Sequence, residues 1–193
     1  RISTSDAEMP KPLDRLGEKP ILWHVMSIFA KFNFTDFIVA GGYKVNEIKK
    51  YFWDIDLDNN NIEINFKNKT KTFLEGTKIN WNVKVIDTGL NSQTGSRIKK
   101  LEKYIDADNF MVTYGDGLCN VNLNKLIDFH IKHKKIATVT VVNPPARFGY
   151  LKMNDDNLIT DFQEKKSIDK AWINGGFFVF NKKIFKYLKE NED

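Results

Sequence analysis

The chain has 193 residues, 41% of them hydrophobic, and a formal charge of +5 at pH 7; no proline- or serine-rich linker divides it, so residues 1–193 read as one domain with a substantial core. Cys119, the single cysteine, excludes an internal disulfide and fits a reducing, cytoplasmic setting. The absence of any span-length apolar run or signal-peptide start argues against a membrane partner, and lysines spread along the chain rather than gathered in a stripe argue against nucleic acid and for small anions.

In chain order, Pro10-Lys11-Pro12-Leu13 comes first. Two prolines fix φ around Lys11, so the lysine is held on a rigid, extended arm that suits a polyphosphate; taken alone the segment reads as an ordinary loop. Behind Pro20, which suits a first-turn position, the spacing of Ile21, Leu22, Val25, Met26, Ile28, Phe29 and Phe32 predicts a core-facing helix over 20–33. Residues 36–40 read as a buried strand ending at Gly41-Gly42, 45–53 as a helix, 61–66 and 82–86 as strands, and 67–80 as a charged connection outside the core. A helix is expected over 94–105, a strand over 110–114 closed by Gly115-Asp116-Gly117, a helix over 123–133 and a β-branched strand over 136–142. The remainder is strand-rich (150–153, 158–162, 177–180) before a closing helix from Lys182. This alternation predicts an α/β fold, a Rossmann-like open, mostly parallel twisted sheet with antiparallel additions late in the chain.

Ligands of open α/β sheets sit beyond the carboxyl ends of strands, which directs attention to three places. Asp87-Thr88-Gly89 follows one strand, and Thr94-Gly95-Ser96-Arg97 opens the next helix; Thr94 is an N-cap or an anion contact, and Arg97 a ligand of a phosphate or a base edge, or a surface arginine. Gly115-Asp116-Gly117 is either a plain turn or a carboxylate that a bulky magnesium-phosphate ligand can approach closely. Glu164, Lys165 and Asn174 suit sugar hydroxyls and a phosphate, and Gly175-Gly176 reads as a backbone approach to ligand or as a β-bulge. His130 and His133, three apart on a helix, have no acid or cysteine at ligand spacing and read as solvent-facing or partly packed rather than as a zinc site. Cys119 has no recognisable base partner, and no serine sits in a glycine-flanked elbow.

Taken in this order, Pro10-Lys11-Pro12-Leu13, Gly17-Glu18-Lys19-Pro20-Ile21-Leu22-Trp23-His24, Asp87-Thr88-Gly89, Thr94-Gly95-Ser96-Arg97, Tyr114-Gly115-Asp116-Gly117 and Ile173-Asn174-Gly175-Gly176-Phe177-Phe178 resemble the sugar-1-phosphate nucleotidylyltransferases. The resemblance covers essentially the whole chain and implies the nucleotide-diphospho-sugar transferase fold. Trp81-Asn82-Val83 leading into Asp87-Thr88-Gly89 is similar to the cytidylyl-transferring branch, which implies CTP and glucose 1-phosphate as substrates, with UTP or dTTP as the sibling alternative.

By the same resemblance Arg1 and Lys11 contact the triphosphate, Thr94 and Arg97 hold the nucleotide side, and Asp116 binds magnesium. Gly149 lies near the hexose, and Glu164, Lys165, Asn174 and Gly175 grip the sugar phosphate; Arg1, Lys11, Asp116 and Lys165 would carry the chemistry. A homo-oligomer and a role in nucleotide-sugar and polysaccharide synthesis are implied by the family alone. Three departures stand out. Lys166 replaces the proline that usually follows Glu-Lys, only Arg1 of the family's glycine-rich nucleotide loop is present, and the family's second magnesium aspartate is missing, so an incomplete fold is expected. A non-catalytic sugar-nucleotide-binding relic of the fold is the competing expectation.

Overall fold

The computed structural model describes residues 9–76, 79–144, 150–163 and 172–190. Pro10 and Pro12 confine Lys11–Leu13 to one 3-10 turn, in which Leu13 N–H donates to Pro10 O at 2.7 Å and the Leu13 side chain enters the core. A short hairpin, β1 (Arg15–Leu16) and β2 (Lys19–Pro20), turns at Gly17, whose φ of +67° suits glycine, and leads into α1 (Ile21–Ala30). Pro20 is the N-cap of α1 rather than a residue of its first turn.

Two stripes of α1 explain the architecture. Leu22 and Met26, four apart, pack with Leu13 and Ile48 against Phe37, Val39, Val83 and Val85. Val25 and Phe29, displaced around the helix, pack with Leu123 and Phe177, and Phe29 stacks on Phe177 at 5.6 Å. The same helix therefore joins two sheets. The first pairs β3 (Asp36–Gly41) with β6 (Asn82–Asp87) in parallel, Asp36 opposite Asn82 through Gly41 opposite Asp87; it is the one parallel ladder among the described residues. The second sets β11 (Ile173–Asn181) between β7 (Asn109–Val112) and β8 (Ala137–Val142), antiparallel to both, with a register shift between Asn174 and Phe178 on the β8 side.

The remaining elements are α2 (Val45–Asn59), α3 (Thr94–Lys100), α4 (Leu123–His133), and two antiparallel pairs, β4 (Asn60–Asn65) with β5 (Thr70–Gly76) and β9 (Tyr150–Met153) with β10 (Ile159–Gln163). Several boundaries differ from the sequence reading. α2 runs six residues past Trp53; the supposed connection contains β5, whose pairing with β4 supplies the backbone partners that a polar sequence does not advertise. The helix from Thr94 stops at Lys100 and continues as a 3-10 turn, β11 begins at Ile173, and the closing helix is a five-residue 3-10 segment, Lys182–Lys186. None of the described helices is long and apolar enough to cross a membrane.

Of the two histidines expected to be solvent-facing or partly packed, His133 is partly buried, whereas His130 is fully buried, being 2% exposed. Lys135 N–H donates to His133 Nδ1 at 2.9 Å, so a neutral His133 carries its proton on Nε2 and donates to Thr138 Oγ1 at 2.6 Å. The Thr138 hydroxyl then donates to His130 Nδ1 at 2.8 Å, and His130 Nε2 faces Asn109 Oδ1 at 3.3 Å. Burial, then the neighbouring His133, pushes the His130 pKa down. The pair is a structural clasp between α4, β8 and β7.

Candidate active site

The first wall of the site lies beyond the carboxyl ends of β3 and β6. Thr88, 1% exposed, extends the ladder by donating its N–H to Gly41 O at 2.8 Å, and its hydroxyl donates to the same carbonyl at 2.7 Å. Arg97 holds the loop that follows: Nη1 donates to Thr88 Oγ1 at 2.7 Å, Gly89 O at 2.8 Å and Gly41 O at 3.3 Å, and Nη2 to Leu90 O at 3.0 Å. Neither alternative in the sequence foresaw an arginine spent on loop carbonyls. An added Cβ on Gly42 would overlap the guanidinium, which is why a residue without a side chain stands there. Lys100, not singled out in the sequence, adds a second brace, from Nζ to Thr88 O at 2.9 Å and to Ser92 Oγ at 2.7 Å. Thr94 is the first residue of α3 and is exposed; the N-cap is Gln93, so the capping explanation for Thr94 falls.

The second wall brings together two residues more than a hundred positions apart in sequence. Gly115 lies under the proline arm: a Cβ added there would stand 3.1 Å from Pro12 Cγ. Pro12 thus seats Lys11 beside the turn that carries Asp116, and Gly117 N–H donates to Tyr114 O at 3.4 Å to close that turn. Both Lys11 and Asp116 are exposed. Among the described residues neither side chain has a hydrogen-bond or ion-pair partner, so both charges face solvent unspent. Nothing in Pro-Lys-Pro or Gly-Asp-Gly taken separately signals this contact.

β11 forms the third wall. Asn174 Oδ1 accepts from Gly176 N–H at 2.8 Å, and Asn174 Nδ2 donates to Tyr114 Oη at 2.9 Å, so the residue expected on the sugar side is tied to the segment after β7 that carries Asp116. Gly176 has φ +86° and Gly175 would bring a Cβ within 2.9 Å of Thr140 O, so the glycine pair is demanded by the bulge and by the close approach of β8. Arg1, Gly149, Glu164 and Lys165 lie outside the described residues, as does Lys166. No group of three or more His, Cys, Asp or Glu residues able to hold a metal occurs among the described residues. An exposed, unpartnered carboxylate between glycines does fit a magnesium ion that takes most of its oxygen ligands from substrate phosphates and water.

These walls, with a parallel sheet and an antiparallel sheet joined by α1, define an α/β enzyme of the nucleotide-diphospho-sugar transferase fold. The solved structure of HddC from Yersinia pseudotuberculosis shares that fold, with a TM-score of 0.62 and 23% identity over 96% of this chain and 73% of that one. Residues 5–193 match the family model described as nucleotidyl transferase, and the chain belongs to that family. It is 39% identical over 189 residues, 97% of this chain and 73% of the relative, to the glucose-1-phosphate cytidylyltransferase of Salmonella typhimurium strain LT2. A more distant relative, the D-glycero-alpha-D-manno-heptose 1-phosphate guanylyltransferase of Aneurinibacillus thermoaerophilus, is 28% identical over 190 residues, 96% of this chain and 72% of its own length.

Proposed function

We propose that this protein transfers the cytidylyl group of CTP to glucose 1-phosphate, giving CDP-glucose and pyrophosphate. The observation that carries this reading is the 39% identity to a glucose-1-phosphate cytidylyltransferase across 97% of the chain; the placement of Lys11 against the Asp116 turn supports it from the geometry. A phosphate oxygen of glucose 1-phosphate attacks the α-phosphorus of CTP, the new P–O bond forms as the bond to the β-phosphate breaks, and pyrophosphate leaves with its electron pair. A phosphate monoester has a second pKa of about 6, so the nucleophile is ionised at neutral pH and needs no general base. That agrees with a sequence in which Cys119 has no recognisable base partner and no serine sits in a glycine-flanked elbow.

What the protein must supply is proximity for two anions and compensation for charge on the transferring group. Lys11, held on its proline arm, and Arg1 serve the triphosphate. Arg97 serves the nucleotide through the Thr88–Leu90 loop that it braces, with Thr94 at the exposed start of α3. Glu164, Lys165, Asn174 and Gly175 hold the sugar phosphate, with Gly149 near the hexose. Asp116 is the residue that would hold magnesium, whose charge offsets that of the phosphates.

Pyrophosphate release from glucose 1-phosphate with CTP, UTP, dTTP or GTP tests the reading. CTP is expected to be the preferred nucleotide, and Lys11→Ala and Asp116→Ala to lose about a hundredfold or more in turnover while melting like the wild type. Silence of the wild type with all four nucleotides overturns the transferase reading in favour of a non-catalytic binder, preference for another base corrects the nucleotide, and normal release by either variant removes that residue from its role.

A further inference from the structure

Tyr114 stands between the two halves of the proposed site without a role assigned to it so far. Its ring lies over Gly176, where an added Cβ would stand 2.9 Å from Tyr114 Cδ2, and it meets Phe178 edge-on at 6.2 Å. Phe178 stacks on Phe180, and Phe180 touches Phe110, which stacks on Phe185, so the tyrosine ring ends a row of aromatics fixed along one face of the sheet. These contacts hold the inner side of the ring independently of the hydroxyl, while 43% of the residue stays exposed.

The hydroxyl performs a different task. Gly176 N–H points at Asn174 Oδ1, which settles which end of that amide is oxygen and makes the contact to Tyr114 Oη a donation from Asn174 Nδ2. Tyr114 is the acceptor, and Asn174 retains one amide proton and a carbonyl lone pair for a ligand. Because Tyr114 precedes Asp116 by two residues, one ring couples the turn bearing the proposed magnesium carboxylate to the amide proposed for the sugar phosphate.

We propose that Tyr114 is a positioning residue that orients the Asn174 amide toward the sugar phosphate, so that its hydroxyl governs affinity for that substrate and not for the nucleotide. The inference rests on the sugar-phosphate role given to Asn174 above. Tyr114→Phe keeps the ring over Gly176 and removes only the acceptor. The expected result is a KM for glucose 1-phosphate raised about three- to tenfold, the equivalent of one ordinary hydrogen bond, with the KM for CTP and the melting temperature unchanged. In an Asn174→Ala background the same change is expected to add nothing. A Tyr114→Phe enzyme with wild-type KM for the sugar phosphate overturns the inference while leaving the transferase reading intact. So does a shift of both KM values together with a lowered melting temperature, the mark of a merely structural tyrosine. A wild type that releases no pyrophosphate overturns the transferase reading, and the inference is then read from direct titration with glucose 1-phosphate: weaker binding by Tyr114→Phe sustains it, and equal binding or none by either protein ends it.

Discussion

Replacing Arg97 with methionine keeps the aliphatic stem in place and removes all four guanidinium contacts. The 3.3 Å contact to Gly41 O is the weakest, which leaves three well-formed bonds from a charged donor. Hydrogen bonds from a charged donor contribute about 1.5–3 kcal/mol each, but Arg97 is only partly buried, and solvent screening reduces the figure to about 1 kcal/mol apiece. The total is about 3 kcal/mol, and at about 2–4 °C per kcal/mol for a domain of this size the melting temperature should fall by about 6–12 °C. Thermal unfolding followed by far-ultraviolet circular dichroism measures it. Arg97→Lys should recover little, because one ammonium cannot reach acceptors distributed around a planar fork. A methionine variant that melts within about 2 °C of the wild type, or a lysine variant indistinguishable from it, refutes the claim that this arginine braces the loop.

The histidine clasp makes stability depend on pH. With the folded pKa of His130 held below the ordinary 6.5, the unfolded chain binds the proton more readily, so the contribution is complete above pH 6.5 and is lost as pH falls through the folded value. Melting temperatures measured from pH 7.5 down to 5.5 should decline more steeply for the wild type than for His130→Asn; parallel profiles would discard the clasp. Tyr51 tests the opposite end of the scale. Burial first, then Asp58, raises its pKa to about 12, with Arg15 the smallest of the three influences and opposed to the other two, and its hydroxyl is buried with no hydrogen-bond partner among the described residues. Stability contributed by the neutral phenol is present below pH 10 and lost as pH rises through about 12, so tyrosinate absorbance should show one residue missing from the titration near pH 10 that is present in Tyr51→Phe-subtracted spectra of the unfolded protein. Ionisation of Tyr51 at pH 10 in the folded protein would contradict the burial argument.

Periodicity alone identified the helix behind Pro20, the strand ending at Gly41-Gly42 and the helix over 123–133, because a stripe of apolar side chains must be covered wherever the chain goes. The ordered motifs, through their resemblance to the sugar-1-phosphate nucleotidylyltransferases, carried the enzyme class as well. Beyond that the amino-acid string is silent, for a physical reason. β5 is polar and was invisible because its strand is made by backbone pairing with β4, which residue type hardly records. Pro12 against Gly115, Arg97 across Gly42 and Tyr114 over Gly176 are contacts between residues 55 to 103 positions apart, and each depends on space left by a glycine whose neighbour the local sequence does not name. The residue types available for chemistry could be read from one dimension. Which charges found no partner among the described residues, as at Lys11 and Asp116, and which were consumed in holding a loop, as at Arg97, was decided only when the chain closed on itself and acceptors competed for donors.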